Sequence, residues 1–583
     1  VLYERVYYNH CTKKMKRLFH SKISPVAKMH TSSIHFVGSR DPARHTIFLL
    51  FVFGSGIFFL ILLITLFTLT VVKGSYYNRL SEANRIREIP IEPKYGTVYD
   101  RKGFVLAENK TPNTSLDKNY ISSSRTYYFP EETAHIIGYR QIADKTDIEN
   151  DLCSRKLLPN EKVGKKGVER LFDCDLRGVS GKKLVEVNAQ GKKEGVLAIL
   201  PPTDGKSVRL ALDIELQRAA YLALKGRRGA VVAMQPSTGE VLVFVSSPSF
   251  DPVFFEKGDV RVGDIFNNKE KPMLNRVTEG VYPPGSIFKP IIAAGALEDG
   301  YFTNETIVQD DGFVMAGALR FGNWYFLQYG KTEGPVDMIK ALQRSNDTYF
   351  YKLGEKMGPE KIQVWAEKFG LGSEVGIGFN EAEGTLPSPF WKSETLHEQW
   401  YLGDTYNYSI GQGYLSVTPL QMAYALVPFA NGGVQCKPQL LKGVSPECKK
   451  LPLKQSTLGV IDEGLKKACS SGGTGWPLFD FKVKNLEARK KRLEGISEDK
   501  KASVEAALDR DPTYSTPIQA SCKTGTAESH AKSGIPHAWA EVFAPADKPE
   551  IAITVLVEEV GQGSDEAVPV ARDILKVYFE RIE

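Results

Sequence analysis

Lys523-Thr524-Gly525-Thr526 stands near the end of a 583-residue chain, and Ser286-Ile287-Phe288-Lys289 and Ser345-Asn346-Asp347 stand before it. Together they spell S-x-x-K, S-x-D and K-T-G, in that order. The set describes a serine acyl-transfer site: a nucleophile, a base, a proton relay and a cationic strand for a carboxylate.

Each motif alone is weak. S-x-x-K recurs at Ser180/Lys183, Ser497/Lys500 and Ser529/Lys532, where solvated surface positions account for it. Setting separates Ser286 from these. Tyr282-Pro283-Pro284-Gly285 is a rigid turn, and the apolar stretch from Ile287 onward opens a helix. Ser286 then sits at a helix N-terminus, where free N–H groups and the helix dipole favour negative charge. Lys289 follows one turn later on the same face, with its amine in reach of the Ser286 hydroxyl. Half-buried beside a second cation, it loses proton affinity and can act as base. The plainer alternative is a capping serine and a surface lysine.

Ser345 falls between helical stretches at 336–344 and 348–357, so its hydroxyl can relay a proton. Lys523-Thr524-Gly525-Thr526 falls on a strand. Glycine inside a strand marks close approach of another backbone or a ligand, which singles out Gly525. Lys523 supplies fixed charge, and Thr524 and Thr526 supply hydroxyls. The N–H groups of Thr526 and Ser286 are candidates for an oxyanion hole.

The flanks frame a domain. Strands are expected at 230–234, 241–245, 517–526, 538–544 and 550–558, with a closing helix at 565–581. Asp213 can cap a helix with apolar positions at Leu216, Ala219 and Leu222. The middle, 285–430, is helical in pattern. Strands at both ends with helices between predict an α+β domain whose sheet joins the termini.

Hydrophobic content of 42% and charged content of 25% fit a folded protein of two or three domains. The net charge of +6 is uneven: residues 1–45 hold nine bases against two acids, leaving about −1 for the rest. A near-neutral body argues against a nucleic-acid ligand. Residues 46–72 are apolar and uncharged. As a helix they span about 40 Å, more than the ~30 Å hydrocarbon core. The run is too long for a cleaved signal, so a transmembrane helix is expected, with the basic flank on the cytoplasmic side. The seven cysteines are irregularly spaced and read as scattered small buried residues, although Cys153–Cys174 and Cys436–Cys448 could pair. His135, His397, His530 and His537 show no ligand spacing, so neither metal nor cofactor is expected.

The chain resembles the class B penicillin-binding proteins, the D,D-transpeptidases of peptidoglycan, over most of residues 75–583. The likeness extends to 282–290 (YPPGSIFKP), 228–240 (RGAVVAMQPSTGE), 410–421 (IGQGYLSVTPLQ), 472–475 (GGTG) and 537–539 (HAW). Trp400-Tyr401-Leu402-Gly403-Asp404-Thr405 and the S-x-D form point to the elongation type, penicillin-binding protein 2, since the division type usually carries Asn where Asp347 stands.

The resemblance implies a penicillin-binding/serine β-lactamase-like domain at 206–583 on a pedestal at 73–205, after a basic segment at 1–45 and a transmembrane helix at 46–72. Ser286 attacks the penultimate D-alanine of a stem peptide, Lys289 takes its proton, and Ser345 protonates the departing D-alanine. Lys523, Thr524 and Thr526 hold the terminal carboxylate, and β-lactams acylate Ser286. Implied partners are a membrane glycosyltransferase of the shape, elongation, division and sporulation family and rod-shape scaffold proteins. A D,D-carboxypeptidase or β-lactamase on the same fold, and a non-catalytic scaffold or β-lactam sensor, are the alternatives. Three departures stand out. Residues 104–135 are short for the head of the pedestal. Residues 481–513 form a charged insertion, expected as a solvated helix or loop. Cys522 replaces a common Gly, expected as a packing change.

Overall fold

The computed structural model describes residues 42–110, 124–153, 157, 161–188, 190–529 and 533–580. Most of the basic segment, with Cys11, much of the shortened head, and His530 and Lys532 lie outside them. The chain divides into two compact units: one up to Arg87 with Val187–Lys193, the other Glu88–Glu186 with the chain from Glu194 onward.

The first unit carries a helix, Pro42–Phe67, prolonged by a π-helical turn, Thr68–Val72. Within Ala43–Val72 an 18-residue window has a mean hydropathy of 3.0, and none of it is buried against protein. Ser55, Thr65, Thr68 and Thr70 return their hydroxyls to carbonyls three or four residues back, so none needs water. A helix apolar on every side fits a single-pass membrane anchor. A second helix, Gly74–Arg85, follows, after which the chain turns to a strand, Ile86–Ile91.

The second unit is organised by a five-stranded antiparallel sheet in the order Val241–Ser247, Gly229–Met234, Ile551–Val557, His537–Ala544, Ser521–Ala527. Successive side chains leave a strand on opposite faces. Val231, Ala233, Val243, Val245, Ala540, Val542, Ile553 and Val555 pack with the helices Ile214–Leu224 and Gly563–Phe579. Ala230, Val232, Phe244, Trp539, Phe543 and Leu556 join the core of the helices Lys289–Glu298 and Pro419–Ala430. Both faces are covered, so Gly229–Met234, residues 241–245 and Ile551–Val557 read as near-continuous apolar runs. The expected α+β layering is present, and its outer strand carries Lys523.

Asp213 caps its helix by accepting from the N–H groups of Glu215 and Leu216. The expected apolar face was misplaced, however. Leu222 is 61% exposed, and the buried stripe is Leu216, Ala220, Ala223 and Leu224. Spacings of four and seven from Leu216, not three and six, face the sheet.

The stretch 104–200, unpatterned in sequence, builds strands at Val105–Lys110, Ser124–Tyr127, Gly181–Val187 and Lys193–Leu200. Its core mixes apolar residues with ion pairs, which hides it from hydropathy. Cysteine is the clearest correction. Cys153–Cys174 and Cys436–Cys448 are disulfides, and so is Cys469–Cys522. Cys522 is therefore a cross-link and not a packing change; a partner 53 residues away leaves no local signal. The insertion is two helices, Leu486–Leu493 and Glu498–Leu508, closed at its base by pairing of Lys482–Lys484 with Ser515–Pro517.

Candidate active site

Ser286 lies in a 3-10 turn, Gly285–Phe288, that runs into the helix Lys289–Glu298. Pro290 at the helix start needs no N–H partner there. Gly285 has φ +58° and donates to Gly411 O at 2.8 Å. The turn is pressed onto the outer strand. A Cβ on Gly525 would meet Pro284 O at 3.0 Å, Ile287 Cγ2 at 3.1 Å and Trp539 Cβ at 3.1 Å. Trp539 Nε1 donates to Pro283 O at 3.0 Å. Glycine at 525 thus admits the backbone that carries Ser286, as its place in a strand predicted.

Lys289 is not half-buried but wholly buried. Its ammonium donates to Asp347 Oδ1 at 2.6 Å, to Ser345 O at 2.8 Å and to Ser345 Oγ at 3.3 Å. Burial pulls its pKa below the usual lysine range, and Asp347 pulls partly back. Lys523, also buried, donates to Ser345 Oγ at 2.8 Å and to Thr524 O at 2.9 Å. Burial, and then the Lys289 charge, push its pKa well down.

Ser345 joins the two lysines. It caps the helix Met338–Arg344 with φ +54°, a left-handed conformation that side chains rarely adopt. With two ammonium groups donating to its oxygen, its own proton is free to point elsewhere. A cavity of about 770 Å³ is lined by Ser286, Ser345, Asp347, Thr524 and Thr526. Every motif residue predicted from sequence therefore lies on this cavity, donates to a group that does, or, as Gly525, lets the turn approach. Thr524 Oγ1 bonds Thr474 Oγ1 at 2.7 Å, which gives the GGTG segment a place beside the strand.

The sequence reading missed the support beneath. Asp310 is buried and accepts from Asn346 Nδ2, Asn323 Nδ2 and Thr348 Oγ1, each at 2.9 Å. Asn323 Oδ1 in turn accepts the Asp347 N–H at 3.1 Å, and Asp347 Oδ2 accepts the Trp324 N–H at 2.9 Å. One carboxylate thus pins the connection that carries Ser345 and Asp347. Glu541, the cross-strand partner of Lys523, was also missed.

A family model for the penicillin binding protein transpeptidase domain matches residues 229–576, more than half of the chain. The chain belongs to the penicillin-binding protein transpeptidase family. A model for the penicillin-binding protein dimerisation domain matches residues 118–210. The chain is 31% identical to the peptidoglycan D,D-transpeptidase MrdA of Acinetobacter baumannii, over 84% of this chain and 81% of that one. It is 29% identical to MrdA of Haemophilus influenzae over 89% of each chain.

Among solved structures it is similar to Pseudomonas aeruginosa PBP2 in complex with WCK 5153, with a TM-score of 0.67, 30% identity and coverage of 84% and 96%. It is also similar to a chain from a study of polymerization and crosslinking by a peptidoglycan synthase complex, with a TM-score of 0.68, 27% identity and coverage of 91% and 98%. The resemblance to penicillin-binding protein 2 read from the motifs is borne out. Within the family frame, the Cys469–Cys522 bond ties the end of the helix Gln455–Ala468 to the residue before Lys523. That helix packs on Met338–Arg344, the helix that Ser345 caps. Two of the three motif elements are thus braced by one covalent link.

Proposed function

We propose that the chain is a peptidoglycan D,D-transpeptidase of the elongation type, working through an acyl-enzyme on Ser286. The observation that carries the reading is the convergence of Lys289 and Lys523 on one hydroxyl, Ser345 Oγ, in a cavity that Ser286 also lines.

Ser286 Oγ attacks the carbonyl carbon of the penultimate D-alanine, and its proton passes to neutral Lys289. Burial favours that neutral form. The oxyanion is met by the N–H groups of Ser286 and Thr526. The C–N bond to the terminal D-alanine breaks, and Ser345 protonates the departing amine. The proton gained by Lys289 refills Ser345 along their hydrogen bond. Lys523, Thr524 and Thr526 hold the terminal carboxylate. An amine from a neighbouring stem then attacks the ester, loses its proton by the same route, and releases Ser286. A β-lactam follows the first half of this course and stays attached.

The chain sits in the cytoplasmic membrane with its basic N-terminal segment inside and its catalytic domain outside. All three disulfides follow the apolar helix, on the side where they persist. Its partner is a membrane glycosyltransferase of the shape, elongation, division and sporulation family. Likeness to a chain from a peptidoglycan synthase complex supports this. Rod-shape scaffold proteins complete the assembly, as the elongation type implies.

A fluorescent penicillin with mass mapping of the adduct tests the reading. One stable adduct on the peptide holding Ser286 is expected. Folded protein without that adduct would refute it, and rapid turnover of the drug would favour a hydrolase.

A further inference from the structure

Arg320 lies on a hairpin formed by Phe313–Ala316 and Leu319–Gly322, on the wall of the cavity that holds Ser286, Ser345 and Thr526. Among the described residues it is the one basic residue lining that wall. Its guanidinium lies 3.8 Å from the Phe313 ring centre and 5.0 Å from that of Phe326. Among the described residues no carboxylate pairs with it. Nearby Arg344 is different: it is tied to Glu333 at 2.8 Å and to Gly472 O at 2.8 Å.

Stacking on aromatic rings holds a guanidinium in place and uses none of its N–H groups. Five donors in a planar fork match a carboxylate in two-point fashion. The cavity's other charged lining residues, Asp347, Glu528 and Asp565, are acids. Arg320 is thus oriented, open and unpaired, in a cavity where Lys523 and the two threonines are already assigned to the terminal carboxylate.

Resting on the function proposed above, we infer that Arg320 binds a second carboxylate of the donor stem peptide, carried by the side chain of its third residue. The enzyme then selects donors on two carboxylates: one at the chain end, which β-lactams copy, and one further back. The free carboxylate of the glutamyl residue preceding the third is another source of the same chemistry.

The test uses the full chain in detergent and three synthetic pentapeptide donors. One has both side carboxylates free, one is amidated at the third residue, and one is amidated at the glutamyl residue. D-Alanine release gives kcat and KM for each. The wild-type enzyme is expected to prefer the free acid over the third-residue amide by roughly 10- to 100-fold in kcat/KM, chiefly through KM. Arg320→Ala should bring that ratio close to one, and Arg320→Lys should keep part of it.

A ratio that survives Arg320→Ala, or a wild-type enzyme indifferent to amidation, overturns the inference. Discrimination only against the glutamyl amide overturns the assignment to the third residue. Penicillin labelling of wild-type Ser286 is scored separately, so failure here is distinct from failure of the parent reading.

Discussion

Near the Cys153–Cys174 bond, Arg177 meets Asp151 at 2.8 Å and is also paired with Asp173; Arg125 meets Glu169 at 2.7 Å, and Arg140 meets Glu256 at 2.9 Å. In the catalytic cavity Lys289 takes the carboxylate of Asp347, and Lys523 has no ion pair among the described residues. All these cations are buried, yet the proton affinities of Arg140 and Arg177 move oppositely to those of Lys289 and Lys523. Burial works against the charge of Arg140 and Arg177, but their carboxylates outweigh it and the pKa values rise. For Lys289 and Lys523 burial wins and the pKa values fall. Where buried charge holds structure together, carboxylates outweigh the cost of burial; at Lys289 a single carboxylate does not, and Lys523 is left without one.

Lys289→Met is the hardest blow to the catalytic half of this contrast. Acylation by fluorescent penicillin should fall by about a thousandfold or more, the scale of a lost base acting on a serine nucleophile. The pH profile sharpens it. In the proposed mechanism neutral Lys289 is the active form, so wild-type acylation should climb with pH toward a midpoint below ordinary lysine, and the variant should lose that limb. A variant within tenfold of wild type, or one that keeps the limb, would mean that Lys289 is matched glue like Arg177.

Arg177→Met tests the other half. It leaves Asp151 and Asp173 buried without their shared cation. The expected loss is about 3–5 kcal/mol of stability, typical of breaking a buried pair from one side. Thermal and denaturant unfolding of the full chain would show it, and the folded fraction should acylate at the wild-type rate. An unchanged unfolding midpoint would remove the structural half of the comparison.

What the sequence disclosed follows from the same physics. Ser286 and Lys289 could be read because one helical turn fixes their spacing. Gly525 could be read because a strand interior gives glycine few other reasons. Asp310 could not: its tie to Asn346 spans 36 residues, and nothing local marks an acidic residue as a hub. Cys522 was misread because its partner lies beyond a charged insertion. The paired arginines Arg125, Arg140 and Arg177 were invisible for a related reason, since ion pairs there replace the apolar periodicity that sequence reading relies on. Chemistry imposed by short spacing was readable, and support assembled from distant residues was not.

The smallest effect belongs to Glu541, which faces Lys523 across the sheet and lies buried with one oxygen, Oε1, lacking a hydrogen-bond partner. Burial raises its pKa well above the usual carboxylate range, with Lys523 acting weakly the other way. A folded chain that keeps this proton while the unfolded chain releases it loses stability as pH rises above the ordinary glutamate value, until the raised folded pKa is passed. Glutamine is close in shape to the protonated acid and does not titrate. Glu541→Gln should therefore match wild type in melting temperature near pH 4 and exceed it increasingly at higher pH, while acylation changes by no more than about threefold. A melting difference that is flat with pH would mean that Glu541 is ionised in the fold. It would then be the carboxylate that Lys523 otherwise lacks, and the catalytic cavity would be as evenly matched as the region around Arg177.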